Sequence, residues 1–204
     1  MFHREILTKE QEELLPLVAK FSRNFRLVGG TAVALQIGHR ESIDFDLFSL
    51  RGFQNANIRK RILGYTNIDR IVRDETGQYT MIIKGVYFTF FHYPFEVEFA
   101  KNFDDIIKMP DLLTLAAMKV HALGRRAKWK GYVDLYFIIK NFHSLSEIIK
   151  KAKKLFQNEF NEKIIREQIS YFDDIDYHQE VIYKKGFKVG DETIKKFLVE
   201  ASLS

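Results

Sequence analysis

The chain has 204 residues, of which 46% are hydrophobic and 29% charged, and it contains no cysteine. Such a length and composition fit one globular domain, or one domain with a packed appendage, and exclude a disordered chain. The absent cysteine excludes disulfides, thiol nucleophiles and cysteine-based zinc sites. The net charge is +5, and it is concentrated: from Lys119 to Lys154 ten lysines and arginines face two acids, Asp134 and Glu147. That excess favours a polyanionic partner, a nucleoside triphosphate or RNA. The opening MFHREILTKEQEE is too charged for a secretion signal, and no run approaches the ~20 apolar residues of a membrane span. A cytoplasmic protein without a membrane partner is expected.

Residues 8–24 read as a helix with Leu14, Leu15, Val18 and Phe21 in one stripe and Pro16 marking its start or a break. The next stretch, RLVGGTAVALQIGHRESIDFDLFS (26–49), reads as a strand, a double glycine, a short helix and a second strand. Alternation puts Ile43, Phe45 and Leu47 on one face of that strand, and Asp44 and Asp46 on the other, roughly 7 Å apart. Adjacent carboxylates repel unless a positive group lies between them. A divalent metal, most simply Mg²⁺, suits the pair, because it takes carboxylates together with substrate phosphates. Gly29 and Gly30 allow close approach of backbone to a ligand, and Thr31 is expected to cap the following helix, whose N–H groups would face a phosphate. Val33 and Ile37 share a face of this helix, and Gly38 ends it. Each half has a bland alternative, a plain turn and a solvated strand face; the specificity lies in their combination.

A basic amphipathic helix is expected over 54–63. Strands follow over 68–73, 79–84, 86–91 and 95–99, with turns at Gly77 and Gly85. From Pro110 the pattern becomes helical. Leu112, Leu115, Ala116, Val120 and Leu123 form an apolar arc, and Lys119 falls inside it, about 20° from Leu112 at 100° per residue. Asp134 interrupts the apolar helix over 129–140 in the same way. The two either pair with each other or reach into a site. Further helices are expected over 144–156, 159–171 and 191–201, the first with a Ser144/Glu147 capping box. The acidic YFDDID (171–176) reads as a loop. The six histidines show no metal-site spacing, and His39 is a minor candidate for substrate contact.

Two blocks make the chain recognisable. GGT, a helix and then SIDFDLF resemble the signature of polymerase-β-type nucleotidyltransferases. Leu112 to Ile139 resembles the "mK-x6-R-x7-DLY" segment of the AbiEii/AbiGii-type toxin family, at Lys119, Arg126, Asp134, Leu135 and Tyr136. The resemblance implies an α/β (α+β) fold: a minimal nucleotidyltransferase palm with a mixed sheet (residues 1–105) and a helical C-terminal half packed on it (106–204). It implies Mg²⁺-dependent transfer of NMP from an NTP to an RNA end, tRNA among them, or to a protein acceptor, and a toxin with a cognate antitoxin. Asp44 and Asp46 would be the catalytic metal ligands, and Gly29, Gly30, Thr31, Lys119, Arg126 and Asp134 the substrate-binding residues. Two departures stand out. Gly131 occupies a position that is often acidic, and the strand VYFTFF (86–91) lacks the third carboxylate of polymerase-β-type enzymes. Glu96 and Glu98 are the substitutes at hand. The alternative is a catalytically reduced fold that binds nucleotide, RNA or a partner protein.

Overall fold

The structure is a computed structural model that describes residues 2–123 and 127–204. Arg125 and Arg126 lie outside the described residues. The alternating segments build one mixed sheet of five strands, β1 (Arg26–Val28), β2 (Asp44–Ser49), β3 (Arg70–Glu75), β4 (Gln78–Ile83) and β5 (Val86–His92). Their spatial order is β1-β2-β5-β4-β3. Only β2 and β5 run parallel; the other pairs are antiparallel. A small hairpin, β6 (Lys101–Phe103) and β7 (Ile107–Met109), follows. The expected α/β fold is therefore present.

One face of the sheet is the core. Phe45, Leu47, Tyr79, Met81, Phe88 and Phe90 are buried on it. Just past helix α1 (Lys9–Ala19), Phe21 meets Phe90 of this face edge-on at 4.7 Å. Helix α1 starts in a full capping box: the Thr8 hydroxyl accepts from Gln11 N–H, and the Gln11 side chain accepts from Thr8 N–H. Pro16 neither starts nor breaks α1 but sits inside it. Its ring is exposed, and Leu14, Leu15, Leu17 and Val18 around it are buried. Burial of that stripe outweighs the lost hydrogen bond.

Helix α2 (Gly29–Ile37) links β1 to β2, and α3 (Asn55–Leu63) follows β2. Gly38 closes α2 in the left-handed conformation at φ +79°, as its position suggested. The strand expected over 95–99 is irregular instead. Strand β5 already has β2 and β4 on its two sides, and after Tyr93 N–H donates to Ser49 O the chain reaches Pro94, which has no donor to continue a ladder.

The rest is helical: α4 (Leu112–Leu123), α5 (Trp129–Asn141), α6 (Leu145–Phe156), α7 (Glu162–Ser170) and α8 (Asp191–Ser202). Helix α2 packs against α4 and α5, so one core runs through sheet and helices. The Ser144/Glu147 box caps α6. Among the described residues no helix is long and apolar enough to cross a membrane.

Thr8→Ala removes one arm of the α1 box and is expected to cost about 1 kcal/mol. For a chain of this size that is a fall in Tm of about 2–4 °C. An unchanged melting curve would show that α1 is held by its buried stripe alone.

Candidate active site

The double glycine serves two different neighbours. Gly29 has φ +72°, and a Cβ there would lie 2.1 Å from Asp46 Oδ2. Only glycine lets the backbone turn this way while the carboxylate sits against it. A Cβ on Gly30 would lie 2.8 Å from Arg40 Nη2 and 3.2 Å from Ser42 Oγ. Thr31 was expected to cap α2, but the helix already begins at Gly29, with Val28 at the cap position and no side-chain cap. The buried Thr31 hydroxyl instead donates to Asp44 O and is hydrogen-bonded to Ser42 Oγ at 2.9 Å. It ties α2 to the start of β2. The uncapped first turn leaves its N–H groups to other acceptors, beside Asp46.

Asp44 and Asp46 do share a face of β2, half-buried, while Phe45 and Leu47 are fully buried on the other. Ile43 lies outside the strand and is 38% exposed, so the apolar face begins at Phe45. On β5, Tyr87 pairs with Asp44 and Thr89 with Asp46. The neighbouring strand thus offers a phenol and a hydroxyl where a third carboxylate was sought. Glu96 and Glu98 are exposed on the irregular segment past His92, and His92 pairs with Ser49, three residues or ~10 Å beyond Asp46.

Asp134 on α5 is fully buried, and four donors reach it. Arg40 Nε (2.7 Å) and His39 Nε2 (2.7 Å) meet Oδ1; Arg40 Nη2 (2.8 Å) and Lys119 Nζ (2.7 Å) meet Oδ2. All the lone-pair positions of the carboxylate are filled. These cations and hydrogen bonds outweigh desolvation and hold Asp134 well below the usual carboxylate range. Asp134, read as substrate-binding, therefore reaches a ligand only through its partners. His39 is fully buried, which removes it as a substrate contact, and its pKa is lowered chiefly by desolvation against the pull of Asp134. Lys119 pairs with Asp134, one of the two readings its position allowed, and its side chain, 14% exposed, is the most accessible of the four side chains in the cluster.

Lys130 lies within electrostatic reach of both this cluster and Asp44. It is half-buried on α5; burial and the charge of Arg40 lower its pKa, while both Asp44 and Asp134 raise it. A strap from the C-terminal region fixes the surround. Glu41 N–H donates to Ile182 O and Lys184 N–H to His39 O, while Asp176 exchanges backbone hydrogen bonds with Ala127 and Trp129. Asp176 of the acidic loop thus serves as structure. Sequence reasoning missed Arg40. The available signal was an aspartate inside an apolar helix, which requires a cation, and the exposed-looking HRES loop held one.

Among the described residues no group of three or more acidic or histidine side chains could hold a metal. Two carboxylates on one strand face still suit Mg²⁺, which binds one or two carboxylates and completes its shell with phosphate and water.

A mixed sheet with paired strand carboxylates beside an uncapped helix is a fold that solved nucleotidyltransferase structures share. The chain superposes on MenT4, a nucleotidyltransferase toxin from Mycobacterium tuberculosis H37Rv, with a TM-score of 0.61 at 11% identity over 95% of this chain and 80% of that one. JHP933 from Helicobacter pylori gives 0.54 at 14% identity, over 97% and 92%. An uncharacterised protein of Aquifex aeolicus (strain VF5), aq_aa25, is 32% identical over 175 residues, 82% of this chain and 84% of that one. Residues 17–193 match the family described as "Nucleotidyl transferase AbiEii toxin, Type IV TA system", and the chain belongs to it.

Two outcomes follow from the buried cluster. Arg40→Met leaves Asp134 without its bidentate partner and is expected to cost ~3–5 kcal/mol in urea unfolding. Lys119→Met leaves that fork intact and should cost less than half as much; equal losses would show that Lys119 carries the pair. His39 has a folded-state pKa below its ordinary 6.5, so the unfolded chain binds the extra proton first. Stability should therefore fall as pH drops below 6.5 towards the folded pKa, and His39→Gln should flatten that slope. A slope unchanged in the variant would assign it to another histidine.

Proposed function

We propose that the protein transfers NMP from an NTP to an acceptor hydroxyl, with Asp44 and Asp46 holding Mg²⁺ and an RNA end, tRNA among them, or a protein side chain as acceptor. The observation that carries this reading is the setting of Asp46: a carboxylate pressed against Gly29 at an uncapped helix N-terminus, paired along β2 with Asp44. Residues 1–105 would act as the palm and 106–204 as the helical wall closing the site.

In this reading the backbone N–H groups of Gly29, Gly30 and Thr31 bind the β,γ-phosphates. Lys119, anchored by Asp134, presents its ammonium to the triphosphate and stabilises charge developing on the leaving group. Lys130, with its raised desolvation, adds a second cation on the α5 side, and Arg126 a third by family resemblance. Bound Mg²⁺ supplies Lewis-acid polarisation of the phosphoryl oxygens. The acceptor oxygen forms a bond to the α-phosphorus, the bond to the β-phosphate bridging oxygen breaks, and pyrophosphate leaves while the hydroxyl proton passes to water. As a toxin of the AbiEii family the protein would be countered by a cognate antitoxin.

The second reading, a catalytically reduced fold that binds nucleotide, RNA or a partner protein, is favoured by one observation: Thr89, not a carboxylate, lies beside Asp46 on β5. Incubation with each α-labelled NTP, Mg²⁺ and total RNA separates the two. Transfer should require Mg²⁺ and fall at least a hundredfold in Asp44→Asn and in Asp46→Asn, with melting temperatures retained. Full activity in both variants would remove the site, and binding without transfer by the wild type would favour the second reading. Lys119→Met should weaken NTP binding roughly ten- to a hundredfold, the loss of one charge-assisted phosphate contact.

A further inference from the structure

The turn after α1 and the segment that carries β2 into α3 enclose a cleft of about 710 Å³. It lies away from the strand carboxylates. Phe21 and Phe25, on its floor, pack on Phe90 of the core face, whereas Asp44 and Asp46 project from the other face. Phe25 meets Phe21 edge-on at 6.0 Å and Phe53 at 5.3 Å. Phe21 and Phe25 are buried and Phe53 half-buried, so Phe53 is the ring a ligand meets first. The rim carries one sign of charge. Residues 14–40 and 47–68, which include every residue that builds the cleft, contain no aspartate or glutamate. Lys20, Arg23, Arg51, Lys60 and Arg61 are exposed, and none has an ion pair among the described residues. Arg61 is held in place: its Nη1 donates to Lys20 O at 3.0 Å, and its guanidinium lies 5.5 Å from the centre of the Phe21 ring. Its other N–H groups are left to a ligand. Asn24, Gln54 and Asn57 add exposed amides, each with donors and an acceptor.

We propose that this cleft is a docking site for an acidic segment of a partner protein, which lays one apolar side chain against Phe53 and its carboxylates on Lys60 and Arg61. The inference stands apart from the transferase reading, because it uses none of that site's residues. Charge complementarity selects the partner: five cations with no acid between them attract carboxylates, and arginine takes a carboxylate bidentately. The floor selects a protein over a nucleic acid. Its rings are spent edge-on against one another, so they form an apolar seat for a side chain rather than open faces for bases. The amides agree, since a peptide main chain offers both N–H and C=O, whereas a phosphate backbone offers acceptors alone. A cleft of this volume takes a few residues, the scale of a short segment seated by one anchor.

The test is a selection followed by a titration, both on the full chain. Random dodecapeptides displayed on phage are selected against the wild type, with the Lys60→Gln/Arg61→Gln double variant for counter-selection. Recovered sequences should be rich in Asp and Glu around one Leu, Phe or Trp. A fluorescein-labelled peptide from that pool should bind Phe53→Ala about ten- to a hundredfold more weakly, and the double variant at least about tenfold more weakly. Phe53→Leu, which keeps an apolar seat, should retain most of the affinity. Binding should weaken as salt rises from about 50 to about 500 mM. A selection that yields no peptide, or peptides without acids, or peptides that bind the variants as well as the wild type, overturns the proposal. So does a single-stranded RNA hexamer that displaces the peptide at equal or lower concentration, which would give the cleft to nucleic acid. Self-association of the chain that the double variant abolishes would give it to a second copy, and overturns the proposal too.

Discussion

The Asp134 carboxylate is the point on which the site depends. Its burial would be costly for a lone charge, and the chain meets that cost with four donors on three residues from two separate places: Arg40 and His39 after α2, and Lys119 on α4. One anion thereby holds two obligate cations, Arg40 and Lys119. The cluster is left with a positive excess, and Lys130 beside it feels the charge of Asp44 on β2 as well as that of Asp134. Opposed charge of this kind suits a ligand that is itself anionic and brings a metal. The same contacts fix α4, α5 and the α2–β2 loop relative to one another, so structure and electrostatics share one device.

The other half of the geometry comes from close backbone approach. Gly29 lets the Asp46 carboxylate lie against the start of α2, and Gly30 makes room for the Arg40 guanidinium that reaches Asp134. The GG step therefore couples the strand carboxylates to the buried cluster rather than only forming a turn. The strap through Asp176 and Ile182–Lys184 closes the outside, holding His39 and Glu41 on one wall and Ala127 and Trp129 on the other through backbone hydrogen bonds. Its sequence shows no regular period, yet it braces both.

Much of this was legible in the residues. Alternation along Asp44–Phe48 placed the carboxylates, Gly38 ended α2, the Ser144/Glu147 box started α6, and the family resemblance named the fold. What escaped was of three physical kinds. Long-range pairing leaves no local pattern: Arg40 and Asp134 are 94 residues apart, and HRES reads as an ordinary polar loop. Tertiary burial overrode local preference at Pro16, whose ring faces solvent while its neighbours bury, and at Thr31, which found a partner across in β2 instead of capping its own helix. The end of a sheet is set by neighbours as much as by composition, so FEVEF alternates correctly yet pairs with nothing, because β5 is already paired on both sides.

The central claim is that Asp44 and Asp46 together hold the divalent ion that accompanies a nucleotide. The most direct measurement is anomalous diffraction from crystals grown with Mn²⁺ and a non-hydrolysable NTP analogue. The account expects one or two manganese peaks within about 2.0–2.6 Å of oxygens from both carboxylates, a range that covers hard-cation oxygen bonds, with the triphosphate against the N-terminus of α2. Manganese bound elsewhere, or a nucleotide bound with no metal at these two side chains, would contradict it.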